Sequence, residues 1–71
     1  MEFNYNRLRA RIMEKYHTQA MFANAFGISK NALSRKLNNK MSFSVDDIFK
    51  AVELLDIPKK DIVPYFFDSK V

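Results

Sequence analysis

The side chains able to do chemistry are unevenly spread along these 71 residues. Between His17 and Lys40 there is no acidic residue, while Lys30, Arg35, Lys36 and Lys40 place four cations in or at the end of that stretch. A polyanion approaching it meets no repulsion. Residues 1–40 hold eight basic side chains against two acidic, a net of +6, and residues 41–71 hold four against six, a net of −2, so the overall +4 hides a division into a cationic and an acidic half. A solvated basic face explains the same charges equally well until motifs are weighed. Other chemistries lack their residues. His17, the only histidine, has no Cys, His or acidic cluster at ligand spacing, and reads as a surface or capping residue; no metal and no cofactor is expected. The acids are helix-start residues or isolated, and no nucleophile with its base and no phosphate-cradling Gly loop is present, so the chain is not expected to be an enzyme.

The elements that must position the cations are legible from periodicity. Tyr5, Leu8, Ile12 and Tyr16 recur at helical spacing and predict a first helix from about 5 to 16, which Asn4 or Asn6 is placed to cap. Its Arg7, Arg9 and Arg11 read as a solvated face, with DNA-backbone contact as the lesser alternative. Thr18 offers a hydroxyl cap to a second helix ending at Gly27, the only glycine, where a left-handed conformation costs Gly nothing. Ser29 caps a third helix from Lys30 to about Asn38, with Leu33 and Leu37 on one face. After the loop Met41-Ser42-Phe43, Ser44 caps a fourth helix whose first turn carries Asp46 and Asp47, suited to the helix dipole. Its expected apolar stripe is Val45, Ile48, Phe49, Val52 and Leu55. Pro58 opens a short last element in which Ile62, Val63, Tyr65, Phe66 and Phe67 close the core, and Pro64 limits its length. Phe22 and Phe26 are core. No alternation long enough for a strand is visible.

These elements predict an all-α protein, a compact bundle of about five short helices forming one domain over residues 1–71. So short a domain buries only about 60% of the surface its unfolded chain exposes, yet 48% hydrophobic residues with seven Phe and three Tyr supply a core. With ten aromatic rings to hide, one or two of them, most naturally in the Tyr65-Phe66-Phe67 cluster, are candidates for a self-association or partner surface. There is no Cys to form a disulfide scaffold, no apolar run near the roughly 18 residues of a membrane span, and no signal-peptide layout after Met1, so a cytoplasmic protein without a membrane partner is expected.

Thr18 to Asn39 reads TQAMFANAFGISKNALSRKLNN. This pattern at 18–39 resembles the helix-turn-helix of phage Cro and repressor proteins and their bacterial relatives, through Thr18-Gln19, Ala23, Gly27-Ile28-Ser29, Leu33, Ser34-Arg35 and Asn38. Each has a physical reason: Ala23 is small where two helices cross, Gly27 makes the turn, Ile28 and Leu33 pin the helices together, and Ser29 starts the second. Leu33 to Asn38, Phe43, Asp47-Ile48 and Tyr65-Phe66-Phe67 with Lys70-Val71 extend the resemblance to small phage-encoded regulators related to Cro, which implies a role in the switch between lysogenic and lytic growth. The chain departs from that pattern in two places. Asn39-Lys40 replaces a common Asn-Gly, and Lys36 stands where relatives often have an apolar residue, with Leu37 taking over that packing.

The resemblance implies that the third helix lies in the major groove of double-stranded operator DNA, with Lys30, Asn31, Ser34 and Arg35 reading bases. Gln19, Lys36, Asn38 and Lys40 are then the backbone contacts. Family members usually dimerise to present two such helices, so a homodimer is one expectation. Two functions of different class stay open. One is a Cro-like, sequence-specific DNA-binding repressor. The other is a modulator or antirepressor that binds the phage repressor protein and alters its DNA binding, with weak or no DNA binding of its own. The polar, basic, acid-free third helix makes the first the leading expectation, with the second as the alternative, favoured by the lack of an evident dimerisation segment.

Overall fold

Hydroxyl caps and left-handed residues divide the chain where the sequence places its stop and start signals. The computed structural model describes residues 2–69, and Lys70 and Val71, which take part in the resemblance, lie outside them. Five α-helices follow one another: α1 (Asn6–Tyr16), α2 (Gln19–Phe26), α3 (Lys30–Leu37), α4 (Val45–Leu55) and α5 (Ile62–Phe66), the last preceded by a 3-10 turn at Lys59–Asp61. Thr18, Ser29 and Ser44 each accept a hydrogen bond from a backbone amide three residues on. At Ser44 the capping is reciprocal, because the Asp47 carboxylate accepts from the Ser44 amide. For α1 neither Asn4 nor Asn6 is the cap residue: that is Tyr5, without a side-chain cap bond, and Asn4, one position earlier, accepts from the Asn6 amide through Oδ1 at 2.9 Å.

Helix ends use positive φ. Gly27 ends α2 at φ 93° and, with Ile28, donates back to the Ala23 carbonyl, so the turn into α3 is closed by the residues expected to make it. His17, Asn39 and Asp56 take φ of 71°, 63° and 52° after α1, α3 and α4. His17 is therefore a capping residue, with its amide on the Met13 carbonyl at 2.9 Å.

The core sits where α1, α2, α3, α4 and α5 converge. Leu8, Ile12, Phe22, Phe26, Leu33, Leu37, Leu55 and Phe66 are fully buried, and Ala23 and Ala51 are the small residues that let their helices approach. Among the described residues the only strand-like feature is a single bridge pairing Phe3 with Ser69. It is fastened by the Asn4 amide on the Asp68 carbonyl at 2.6 Å.

Four apolar residues expected inside are not there. Val45 is 67% exposed and Phe49 56%, because α4 turns Ile48, Ala51 and Leu55 inward and leaves the adjacent ridge of its stripe without a helix to cover it. Val63 is 63% exposed and Phe67 46%. The five residues of α5 make barely more than one turn, so only Phe66 reaches the interior, with Ile62 and Tyr65 half-buried against it.

Candidate functional site

The cationic segment found in the sequence becomes one outward face. Ser29 holds the first turn of α3 by accepting from Ala32 N at 3.0 Å, and α3 then presents Lys30, Asn31 and Arg35 to solvent with Ser34 half-buried between them. Gln19, half-buried at the start of α2, shares a shallow depression with Met13, Thr18, Ala20 and Lys30, so the start of α2 and the start of α3 meet there. Asn38 and Lys40 are exposed beyond the C-terminal end of α3. Asn38 is not idle: its Nδ2 donates to Ser34 Oγ at 3.3 Å and its Oδ1 accepts from Arg9 at 3.0 Å.

Lys36 departs from its expected role as a backbone contact. It is buried, its ammonium donating to the Ser42 carbonyl at 3.0 Å and to Asp47 Oδ2 at 2.9 Å, and it lies 5.6 Å from the centre of the Phe43 ring. A cation so committed is not free for a phosphate. Leu33, Lys36 and Leu37 lie on the inner side of α3, which settles its rotation. Burial pushes the Asp47 carboxyl up, but the Ser44 amide and the Lys36 ammonium together outweigh it and hold the group below the usual carboxylate range.

The arginines of α1 do work that spacing could not reveal. Arg9 donates to the Leu37 carbonyl at 2.6 Å, and Arg11 donates to the Leu55 and Asp56 carbonyls at 2.8 and 3.1 Å. Each guanidinium thus satisfies carbonyls left without partners at the end of another helix, α3 in one case and α4 in the other. Arg7 is exposed. Asn39 is a further positioning residue: its side chain accepts from the Phe3 amide and donates to the Phe3 carbonyl, both at 3.0 Å. The C-terminal end of α3 is therefore clamped by Arg9, Lys36 and Asn39 at once. The only hint in the sequence was the type of each residue, since their partners lie 6 to 36 positions away.

The family described as "Protein of unknown function (DUF739)" matches residues 1–69. No curated protein matches the chain. Among solved structures, the solution structure of the modulator of repression (MOR) of the temperate bacteriophage TP901-1 from Lactococcus lactis is similar with a TM-score of 0.84. The two chains are 44% identical, over 100% of this one and 96% of the other. No helix among the described residues is long and apolar enough to cross a membrane.

Proposed function

This chain belongs to the DUF739 family, and from that premise we propose that it is a regulator of the switch between lysogenic and lytic growth. It acts in the host cytoplasm by binding its phage's repressor protein and altering the repressor's occupancy of DNA. The observation that carries this reading is the similarity, in sequence and along the full length of the fold, to a protein named for modulating repression. The role is that of a binding protein, not an enzyme. The test is calorimetry of the purified protein with the neighbouring repressor, followed by operator gel shifts of the repressor with and without it. A complex with a Kd of about 1 μM or tighter, with changed operator occupancy, supports the reading; no heat and no change in occupancy at tens of micromolar (on the order of −6 kcal/mol) overturns it.

A second reading, direct DNA recognition, is favoured by the outward face of α3. There Lys30, Asn31 and Arg35 are exposed, and no carboxylate is present between positions 18 and 40. In that reading α2 and α3 act as a Cro-like helix-turn-helix, with Lys30, Asn31, Ser34 and Arg35 on bases and Gln19, Asn38 and Lys40 on phosphates. The greatest extent of the molecule is 30 Å, short of the roughly 34 Å between half-sites, so one copy serves one half-site and a palindrome calls for a homodimer. Titration against the DNA upstream of its gene and against random duplex, at two salt concentrations, tests this. Preference by more than about a thousandfold with a steep salt slope supports it. Equal, weak binding removes it.

A further inference from the structure

Three pairs of exposed apolar side chains stand out on the surface, and their charge settings differ. Met13 lines the depression that also holds Lys30, and Met21 is exposed on α2. Val63 and Phe67 adjoin both Arg7 and Asp68. Val45 and Phe49 lie on α4 one turn apart, and Asp46, Phe49 and Glu53, at spacings of three and four, form one ridge of that helix. Asp46 and Glu53 are exposed and take part in none of the ion pairs among the described residues. The other charges of α4 point elsewhere. The Lys50 ammonium sits 5.0 Å from the centre of the Phe26 ring, drawn toward the end of α2, and Asp47 is turned to Lys36. Of the three apolar pairs, the one on α4 alone is bracketed by two acids, and the exposed cation beside it, Lys50, is held toward the Phe26 ring, so Asp46 and Glu53 outnumber it.

This has a consequence for any partner that itself binds DNA. Such a protein must carry a cationic surface to meet phosphate. Set against the α3 face of this chain, with Lys30, Arg35 and Lys40, that surface is repelled; set against the ridge on α4 it finds opposite charge around a bulky apolar centre. We propose that the Val45–Phe49 ridge of α4, with Asp46 and Glu53 at its sides, is the docking surface for a cationic face of the repressor. The inference rests on the reading of this chain as a repressor-binding protein and adds which side of the molecule does the binding. It leaves the α3 face uncovered in the complex. The apolar centre supplies burial, and the two carboxylates supply orientation and a salt-dependent association rate.

The test is calorimetry of the full-length protein with the purified repressor, backed by amide chemical-shift mapping on the labelled protein. The variants are Phe49→Ser, the double variant Asp46→Asn with Glu53→Lys, and Lys30→Glu with Arg35→Glu. None of the five side chains makes a cap hydrogen bond, and circular dichroism checks that each variant keeps its helices. Expected are shift changes centred on residues 45–53, and weakening by about tenfold or more for each of the first two variants. The Lys30/Arg35 variant should bind as tightly as the unaltered protein or more so. If the unaltered protein binds and the α4 variants bind as tightly, or if only the Lys30/Arg35 variant loses binding, the docking surface is wrong while the repressor-binding reading stands. If the unaltered protein does not bind the repressor, both are overturned.

Discussion

Lys36 and Asp47 hold one another at 2.9 Å with only 10% and 24% of their side chains exposed. The ammonium has a second acceptor in the Ser42 carbonyl and the carboxylate a second donor in the Ser44 amide, so the pair is both desolvated and satisfied. Removing one partner leaves the other without its compensation. Lys36→Met is therefore expected to lower stability by about 1.5–3 kcal/mol, measured by urea unfolding at neutral pH. The carboxyl of Asp47 is held below its ordinary value, so its contribution is fully present above the unfolded value of about 3.9. It is lost as pH falls through the folded value. Stability should accordingly drop below about pH 4, and Asp47→Asn should flatten that limb of the profile. At Gly27 an added Cβ would meet only Lys50 Nζ, at 3.5 Å, so space is not the obstacle. With φ at 93° the backbone is, and Gly27→Ala should cost about 1–2 kcal/mol.

At the scale of the element, α3 is a two-turn helix that cannot stand alone, since isolated helices this short are marginal in water. It is fixed at its N-terminal end by the Ser29 cap and the turn at Gly27, and at its C-terminal end by Arg9, Lys36 and Asn39. Arg9→Ala removes donors to the Leu37 carbonyl and Asn38 Oδ1. It should cost about 1–2 kcal/mol, and speed hydrogen exchange at the amides of Asn38 and Lys40, which bond back to Ser34 and Arg35. Arg7→Ala, at an exposed position of the same helix, should stay within about 0.5 kcal/mol. Equal effects at positions 7 and 9 would show that the guanidinium does not hold the end of α3.

For the whole molecule, the termini of the described chain are fastened to each other and to the end of α3. Phe3 pairs with Ser69 and is gripped on both backbone groups by Asn39, while its ring meets Phe67 edge-on at 5.7 Å. Asn39→Gly keeps a residue that accepts positive φ and removes only the grip. It should cost about 1–2 kcal/mol, a fall in Tm of roughly 4–8 °C per kcal/mol in a domain of this size, by calorimetric melting. Asn39→Ala should cost more, because it adds the strain of a left-handed Ala. Charge is also distributed unevenly at this scale: the exposed cations Lys30 and Arg35 belong to α3, and the exposed acids Asp46 and Glu53 belong to α4.

By itself the sequence determined what depends on neighbours within a turn or two. Thr18, Ser29, Gly27 and Ser44 mark where the helices start and stop, and Leu8, Ile12, Leu33 and Leu37 are buried as their spacing predicts. It also determined the sign of the exposed α3 side chains, since Lys30 and Arg35 have no carboxylate near them in the chain. Tertiary structure decided everything that depends on which side of an element is covered. Val45 and Phe49 share a stripe with Ile48 and Leu55, yet lie outside because no helix packs against their ridge. Lys36 belongs to the basic segment, yet is drawn inward because Asp47 and Ser42 reach it from the far side of a loop. Arg9 and Arg11 look like a solvated face, yet serve helix ends 28 and 44 residues away. Periodicity records that a face exists; only packing selects the side chains that lose their water, and with them the surface left for a partner.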